Sequence, residues 1–109
     1  MKIAFDWFDT LSNVPEMREL LKACQTAGHE CFVISGALPD WSLEQHQKFL
    51  DENSPTTKNF PTLYTPSDYE QGQKKLEIMK REGINILFDD KLDICRPIRE
   101  AGLIAVCIK

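Results

Sequence analysis

The sequence lacks the cysteine and histidine patterns of disulfide-rich or zinc-binding proteins. It has four cysteines and two histidines, with no pair of cysteines at CxxC spacing and no histidine at the spacing of a zinc motif. The spacing therefore argues against a structural zinc site. We expect the cysteines to be free thiols, of which Cys31 and Cys107 lie inside apolar runs and behave as small buried hydrophobes. We expect both histidines, His29 and His46, to lie at the surface.

Long apolar runs and an excess of basic residues are also missing. The longest apolar run, 103–108, is far shorter than the ~20 residues that a membrane-spanning helix needs, and the first residues lack a signal-peptide core. A net charge of −4 disfavours sequence-independent binding to a nucleic-acid backbone or to an anionic membrane. A glycine-rich phosphate loop is absent, which disfavours a nucleotide cofactor. We therefore expect a cytoplasmic protein that does not bind membranes.

What the sequence does have is the composition of one globular domain, 1–109, with a repeated change from helical to strand-like segments. Hydrophobic residues make up 42% and charged residues 28% of the 109 residues. Gly28, Gly83 and Gly102 each follow a helical stretch and precede an apolar run, as expected where a helix ends and a buried parallel strand begins.

This alternation predicts the order of the elements. We expect strands near 2–6, 30–34, 60–64, 84–88 and 103–108. We expect helices over 15–27 and 40–52, from a capping box at Ser67, and over 93–101 with Pro97 in the first turn. The order predicts an α/β class fold, a three-layer α/β/α Rossmann-like arrangement around a five-stranded parallel sheet.

Acidic and hydroxyl side chains follow the predicted strands at the edge where open α/β sheets bind ligands. Asp6 and Asp9 follow the first strand, Ser35 follows the second, and Asp89 and Asp90 follow the fourth. Clustered carboxylates repel one another unless a cation lies among them, and carboxylate oxygens suit Mg²⁺. The sequence therefore predicts a Mg²⁺ site at this edge.

In four places, taken in chain order, the sequence resembles the haloacid dehalogenase (HAD) superfamily of hydrolases. The residues that carry the resemblance are an apolar strand with Asp6-Trp7-Phe8-Asp9-Thr10, an apolar strand ending in Ser35-Gly36, Lys75 or Lys74 near the start of a helix, and Asp89-Asp90-Lys91. The acidic pair followed by lysine also resembles the phosphatase domain fused to some polynucleotide kinases. The resemblance implies a small HAD-like fold and phosphatase chemistry.

The resemblance also implies a role for each matching residue. Asp6 is expected to be the nucleophile that forms an aspartyl-phosphate, with Thr10 holding the loop that follows it. Mg²⁺ is expected between Asp6, the backbone carbonyl of Phe8, and Asp89 or Asp90.

The phosphoryl group of the substrate is expected to bind to residues from three motifs. The resemblance implies that Ser35, Gly36 and Lys75, or Lys74 in place of Lys75, contact its oxygens. Trp7 is expected to lie exposed beside the nucleophile and to contact the substrate.

The sequence departs from the family at Phe8, where the family's phosphatases carry an aspartate that protonates the leaving group. Such acid–base assistance is worth roughly 10²–10⁴ in rate. Asp9 would replace that acid only if a bulge turned it towards the site, because adjacent extended residues point to opposite sides. Chemistry without the acid, another proton source such as Asp93 or the substrate, and a weak or inactive binding protein for a phosphorylated ligand or macromolecular partner all remain open.

The family's cap domain has no counterpart in this sequence, which leaves no room for it between Thr10 and Ser35 or between Gly36 and Lys75. An open site favours a phosphorylated macromolecule as substrate, or a cover supplied by a partner subunit. Nucleic acid is expected to bind only through a phosphorylated end. Trp7, Trp41 and Tyr64 are the candidate exposed contacts for such a partner. For Trp41 and Tyr64 a role as partly buried packing residues is the favoured alternative.

Overall fold

Five parallel strands form one sheet in the computed structural model, which describes residues 1–37, 40–53, 58, 60–66 and 70–108. The strands are β1 (Lys2–Asp6), β2 (Glu30–Ala37), β3 (Thr62–Pro66), β4 (Ile86–Asp89) and β5 (Ile104–Cys107). The helices are α1 (Pro15–Thr26), α2 (Leu43–Asn53), α3 (Gln71–Glu82) and α4 (Leu92–Glu100). The predicted α/β alternation is confirmed.

The strand order is β3-β2-β1-β4-β5, so the chain builds outward from β1 on one side and then crosses to the other. In the register of the sheet, Asp6 pairs with Ile34, and Phe5 pairs with Phe88. The residues that follow these strands therefore meet at the carboxyl edge on either side of β1. In open α/β sheets, ligands bind at the carboxyl ends of the strands where the order of strand addition reverses, which here is next to β1.

Two apolar clusters, one on each face of the sheet, attach the helices. One cluster joins the sheet to α3 and α4 through buried residues that include Leu76, Met79, Ile94 and Ile98. The other joins it to α1 and α2 through Met17, Leu21 and Leu50. Helices on both faces of a parallel sheet make the predicted three-layer α/β/α arrangement.

Helix α3 lies unusually close to α4. A Cβ atom added to Gly72 would lie 2.7 Å from Cγ of Pro97 and 3.1 Å from the backbone oxygen of Asp93. The prediction that Pro97 lies in the first turn of its helix is wrong, because α4 already begins at Leu92. The predicted capping residue of α3, Ser67, lies outside the described residues, and α3 begins at Gln71.

Glycine ends α3 as predicted. Gly83 adopts a left-handed backbone with φ of 71°, and its N–H donates to the carbonyl of Met79. This conformation carries little steric cost in glycine because glycine has no Cβ. The chain then turns directly into β4.

Among the described residues, no helix is long and apolar enough to cross a membrane. The four cysteines form no disulfide with one another; Cys31 and Cys95 are buried, whereas Cys24 and Cys107 are half-buried. The prediction of a surface position for His46 is wrong. Its side chain is only 2% exposed and lies between the rings of Trp41 and Tyr64, because α2 turns this residue towards β3.

Candidate active site

A buried lysine lies between two aspartates at the carboxyl edge of the sheet. Lys75 of α3 donates hydrogen bonds of 2.7 Å from Nζ to Oδ1 of Asp6 and to Oδ2 of Asp89. The Lys75 side chain is only 3% exposed, and both carboxylates are similarly buried. Asp6 ends β1 and Asp89 ends β4, so α3 places one cation between two neighbouring strands.

The site formed by Asp6, Asp89 and Lys75 has more negative than positive charge when both carboxylates are ionised. Burial raises the pKa of Asp6 to about 7, although the charge and hydrogen bond of Lys75 act to lower it. Burial also raises the pKa of Asp89. For Lys75, burial lowers the pKa, but the two carboxylates outweigh it and the net shift is upward. One ammonium faces two carboxylates, so a further cation would relieve the remaining repulsion.

Three carboxylates converge in a way that suits such a cation. Asp6, Asp89 and Asp90 each offer one oxygen, and these oxygens lie within 4.8 Å of one another. Oxygen donors of this kind are the usual protein ligands of Mg²⁺. The donor set therefore fits the predicted Mg²⁺ site, and it uses both members of the acidic pair.

Two of these carboxylates, those of Asp6 and Asp90, line a cavity of about 150 Å³, whereas Asp89 is fully buried. The cavity wall is formed by Asp6, Phe8, Asp9, Gly36, Gln71, Lys75, Asp90, Lys91 and Ile94. Gln71, Lys91 and Ile94 were not predicted as site residues. Lys91 directly follows the acidic pair, and Gln71 lies one helical turn before Lys75, so their spacing from the predicted residues is the signal that was available.

The turn at Trp7–Leu11 carries two adjacent side chains into the same cavity wall. Phe8 has an extended backbone with φ of −65° and ψ of 129°, whereas Asp9 is left-handed with φ of 55°. The left-handed backbone at Asp9 interrupts the extended conformation, and Asp9 therefore lines the same cavity as Phe8. The Asp9 carboxylate accepts a 3.1 Å hydrogen bond from Nδ2 of Asn13, and its N–H donates to Oγ of Ser12 at 2.9 Å.

Of the two predicted hydroxyl side chains, the structure shows one in contact with Asp6. The Thr10 hydroxyl is fully buried and donates to Oδ2 of Asp6 at 3.3 Å. Ser35 is also fully buried, but the prediction that the strand ends at this serine is wrong, because β2 continues to Ala37 and pairs with β3 up to that residue. The Ser35 hydroxyl lies 3.5 Å from the backbone oxygen of Gly36, a distance typical of a weak contact. Gly36, rather than Ser35, belongs to the cavity wall.

The side chain of Gln71 is held over Gly36 by a neighbouring strand. The Thr65 hydroxyl of β3 donates a 2.6 Å hydrogen bond to Oε1 of Gln71. A Cβ atom added to Gly36 would lie 3.6 Å from the same oxygen. The amide of Gln71 is therefore positioned from outside the cavity by a hydroxyl.

Two predicted substrate contacts lie away from the cavity. The prediction that Trp7 is exposed is wrong: it is 3% exposed because its ring packs against Phe49 of α2, with the ring centres 5.5 Å apart. Lys74 lines a different cavity of about 220 Å³ together with Tyr64 and Arg81. Consecutive residues on a helix point about 100° apart, so only one of the two lysines reaches Asp6.

The two other aromatic side chains considered as partner contacts differ in exposure. Trp41 is 39% exposed and lines a groove together with Phe49. The rings of Trp41 and Phe49 pack edge to face. Tyr64 is half-buried, and its hydroxyl donates a 3.0 Å hydrogen bond to Oε1 of Gln47.

Known proteins resemble this chain in structure but not significantly in sequence. No protein-family model matches the sequence, and no curated protein matches it significantly. A chain in a structure of the Pnkp1/Rnl/Hen1 complex superposes with a TM-score of 0.73 at 18% identity, over 98% of this chain and 45% of that one. A chain in the Pnkp1/Rnl/Hen1 RNA repair complex gives 0.69 at 16% identity, over 98% and 42%.

A third solved structure is similar over its whole length. It is a protein from the universal stress protein family from Burkholderia pseudomallei, with a TM-score of 0.63 at 10% identity, over 98% of this chain and 94% of that one. The chain thus spans less than half of the two chains from the complexes. At these identities the likeness shows the α/β fold alone.

Proposed function

We propose that this protein is a Mg²⁺-dependent phosphohydrolase of the haloacid dehalogenase type, with Asp6 as the nucleophile. The observation that carries the proposal is the convergence of Asp6, Lys75, Asp89 and Asp90 beside one cavity at the carboxyl edge of the sheet. An acidic nucleophile, a buried lysine and a hard-cation donor set are what phosphoryl transfer through an aspartyl-phosphate requires.

Asp6 is held in a fixed orientation for attack. Lys75 binds Oδ1 and Thr10 binds Oδ2, so neither carboxylate oxygen is free to rotate away. In the first step an oxygen of Asp6 bonds to phosphorus while the bond from phosphorus to the leaving-group oxygen breaks. In the second step water attacks phosphorus, inorganic phosphate departs, and the carboxylate of Asp6 is restored.

The metal would be held by Asp6, Asp89 and Asp90, with the Phe8 carbonyl as the further ligand that the resemblance implies. When bound, Mg²⁺ supplies charge neutralisation for the carboxylates and the phosphoryl oxygens. Asp6 must be ionised to act as a nucleophile, and its raised pKa of about 7 belongs to the protein without metal. A neighbouring dication favours the ionised form.

The cavity wall offers groups that can bind the phosphoryl oxygens. Gly36, Gln71 and Lys91 line it together with Asp6 and Asp90, and Lys75 reaches it from α3. Ser35 remains a proposed ligand because it directly precedes Gly36, which lines the cavity. Lysine contributes a point charge to such binding, whereas the backbone and the amide contribute directed hydrogen bonds.

A binding protein without turnover is the second candidate, and Phe8 is the observation that favours it. Its phenyl ring stands in the cavity wall where the family's phosphatases have an acid, and a ring cannot protonate a leaving group. Such a protein would use the same cavity to hold a phosphorylated ligand or macromolecular partner.

Phosphate release with and without Mg²⁺ tests the proposal. The substrates are p-nitrophenyl phosphate, acetyl phosphate, and oligonucleotides phosphorylated at either end, since similar folds occur in an RNA repair complex. Asp6→Asn is the control. Mg²⁺-dependent release that disappears in Asp6→Asn supports the phosphohydrolase. Absence of release from every substrate would overturn it in favour of the binding protein.

A further inference from the structure

An exposed aromatic ring forms part of the cavity wall next to the nucleophile. Phe8 is 44% exposed and lines the cavity together with Asp6 and Ile94. Its ring packs edge to face on Trp7, with the ring centres 4.8 Å apart. Trp7 is itself fixed in the apolar layer beneath the sheet. The cavity wall therefore includes an aromatic ring held in place by Trp7 as well as charged side chains.

Supported aromatic rings that remain open to solvent can pack against another ring. Aromatic pairs favour offset or edge-to-face contact and gain stability beyond the area that they bury. Phe8 and Ile94 each line the cavity that Asp6 also lines, so a planar group that entered it would meet apolar side chains. An aliphatic or strongly polar group would gain less from contact with these side chains.

The proton requirement of the leaving group leads to the same class of substrate. Phe8 cannot donate a proton, and the carboxylate of Asp9 is engaged as an acceptor by Asn13. A leaving group that departs readily without a proton would suit this site. The phenolic oxygen of tyrosine titrates near pH ~10, so a phenolate leaves far more easily than the alkoxide of an aliphatic alcohol.

We propose that the substrate is an aryl phosphate monoester with the chemistry of a phosphotyrosine side chain, its ring seated against Phe8 and Ile94. This inference rests on the proposed phosphohydrolase activity and adds the substrate class. An oxygen of Asp6 bonds to phosphorus, the bond from phosphorus to the ring oxygen breaks, and its electron pair leaves on the phenolate, which takes a proton from water. Water then releases phosphate from Asp6.

The test compares aryl with alkyl substrates at matched concentration and Mg²⁺. The probes are phenyl phosphate and a phosphotyrosine peptide against a phosphoserine peptide, glycerol phosphate and a phosphorylated oligonucleotide. The aryl substrates should exceed the alkyl ones by about 100-fold in kcat/KM, since that is the least that proton donation is worth. Phe8→Ala should raise KM for phenyl phosphate by about 3- to 10-fold.

Two further variants distinguish loss of the contact between the rings from a general effect on folding. Phe8→Leu keeps an apolar side chain but removes the ring, so it should raise KM for phenyl phosphate as Phe8→Ala does. Leu43→Ala removes another exposed apolar side chain, at the start of α2 and away from the cavity. It should leave kcat and KM for phenyl phosphate unchanged.

Failure of this inference is distinguishable from failure of the proposed function. Hydrolysis of the phosphoserine peptide or the oligonucleotide as fast as phenyl phosphate would overturn the aryl preference and leave the phosphohydrolase intact. Loss of alkyl phosphate turnover in Asp9→Asn would identify Asp9 as the acid and would also overturn it. Absence of turnover from every substrate, acetyl phosphate included, would overturn both.

Discussion

The ammonium of Lys75 lies 2.7 Å from a carboxylate oxygen of Asp6, and both side chains are more than nine-tenths buried. The contact joins α3 to the end of β1 across 69 residues of sequence. Because the same ammonium also binds Asp89, Lys75 neutralises charge that would otherwise be left unpaired between two strands. The candidate site is therefore also part of what holds the sheet edge together.

Replacement of Lys75 by methionine should destabilise the protein strongly. The substitution keeps the apolar stem but leaves Asp6 and Asp89 buried without their cation, a loss worth about 3–5 kcal/mol. Urea denaturation at neutral pH measures this loss in the free energy of unfolding. Lys74→Met is the matched control, because Lys74 is only half-buried and has no ion pair among the described residues. Equal stability of the two variants would contradict the charge-pairing role of Lys75.

The stability of the metal-free protein should depend on pH through Asp6. The pKa of Asp6 is about 7 in the folded protein against 3.8 in the reference state, so the folded state binds more protons than the unfolded chain between these values. The contribution of Asp6 to the free energy of unfolding should therefore fall as pH rises from about 4 to about 7. The raised pKa of Asp89 acts in the same direction.

Asp6→Asn isolates this effect. In the presence of a chelator, the free energy of unfolding of the wild type relative to that of Asp6→Asn should decrease across this range and level off above pH 7. A difference that stays constant with pH would show that burial does not raise the pKa of Asp6.

Mg²⁺ should stabilise the folded protein by binding the three carboxylates. At a concentration of about 100 times the dissociation constant, a ligand that binds only the folded state adds about 2.7 kcal/mol. Asp90→Asn should remove most of this gain because it deletes one of the converging oxygens. Asp93→Asn, in the exposed first turn of α4, should keep it. The same gain in both variants would place Mg²⁺ elsewhere.

Alanine at Gly72 should destabilise the protein even though alanine normally favours a helix by about 1 kcal/mol over glycine. The added methyl group would lie 2.7 Å from the ring of Pro97, and neither the ring nor the backbone behind it can move easily. Over-packing of this kind costs about 1–3 kcal/mol. Thermal denaturation measures both this variant and its control, Gln73→Ala on the exposed side of α3, which should be nearly neutral. A more stable Gly72→Ala would contradict the close packing of α3 on α4.

The parts of the site that follow strands could be predicted from the sequence. Asp6 and the pair Asp89-Asp90 come directly after apolar runs, and the carboxyl ends of parallel strands share one edge. Their proximity therefore follows from the order of the elements alone. The three-layer fold followed for the same reason.

The remaining parts depend on contacts between distant residues. The sequence favours Lys75 over Lys74 because Ile78 and Met79 follow it at helical spacing. Lys75 is the lysine that contacts Asp6, but the contact itself depends on how α3 packs on the sheet. Trp7 is buried because Phe49 of α2 covers it, and that contact spans two elements. Gln71 enters the cavity wall because Thr65 of β3 holds its amide. No short pattern in the sequence reports such pairs.

Detection of a phosphoryl group on Asp6 tests the central claim most directly. The protein is mixed with Mg²⁺ and acetyl phosphate or phenyl phosphate, quenched in acid within the first turnover, digested and analysed by mass spectrometry. The account predicts that the peptide containing Asp6 gains the mass of one phosphoryl group, that hydroxylamine removes it, and that Asp6→Asn does not acquire it. Mg²⁺-dependent phosphate release without any phosphoryl group on Asp6 would contradict the account.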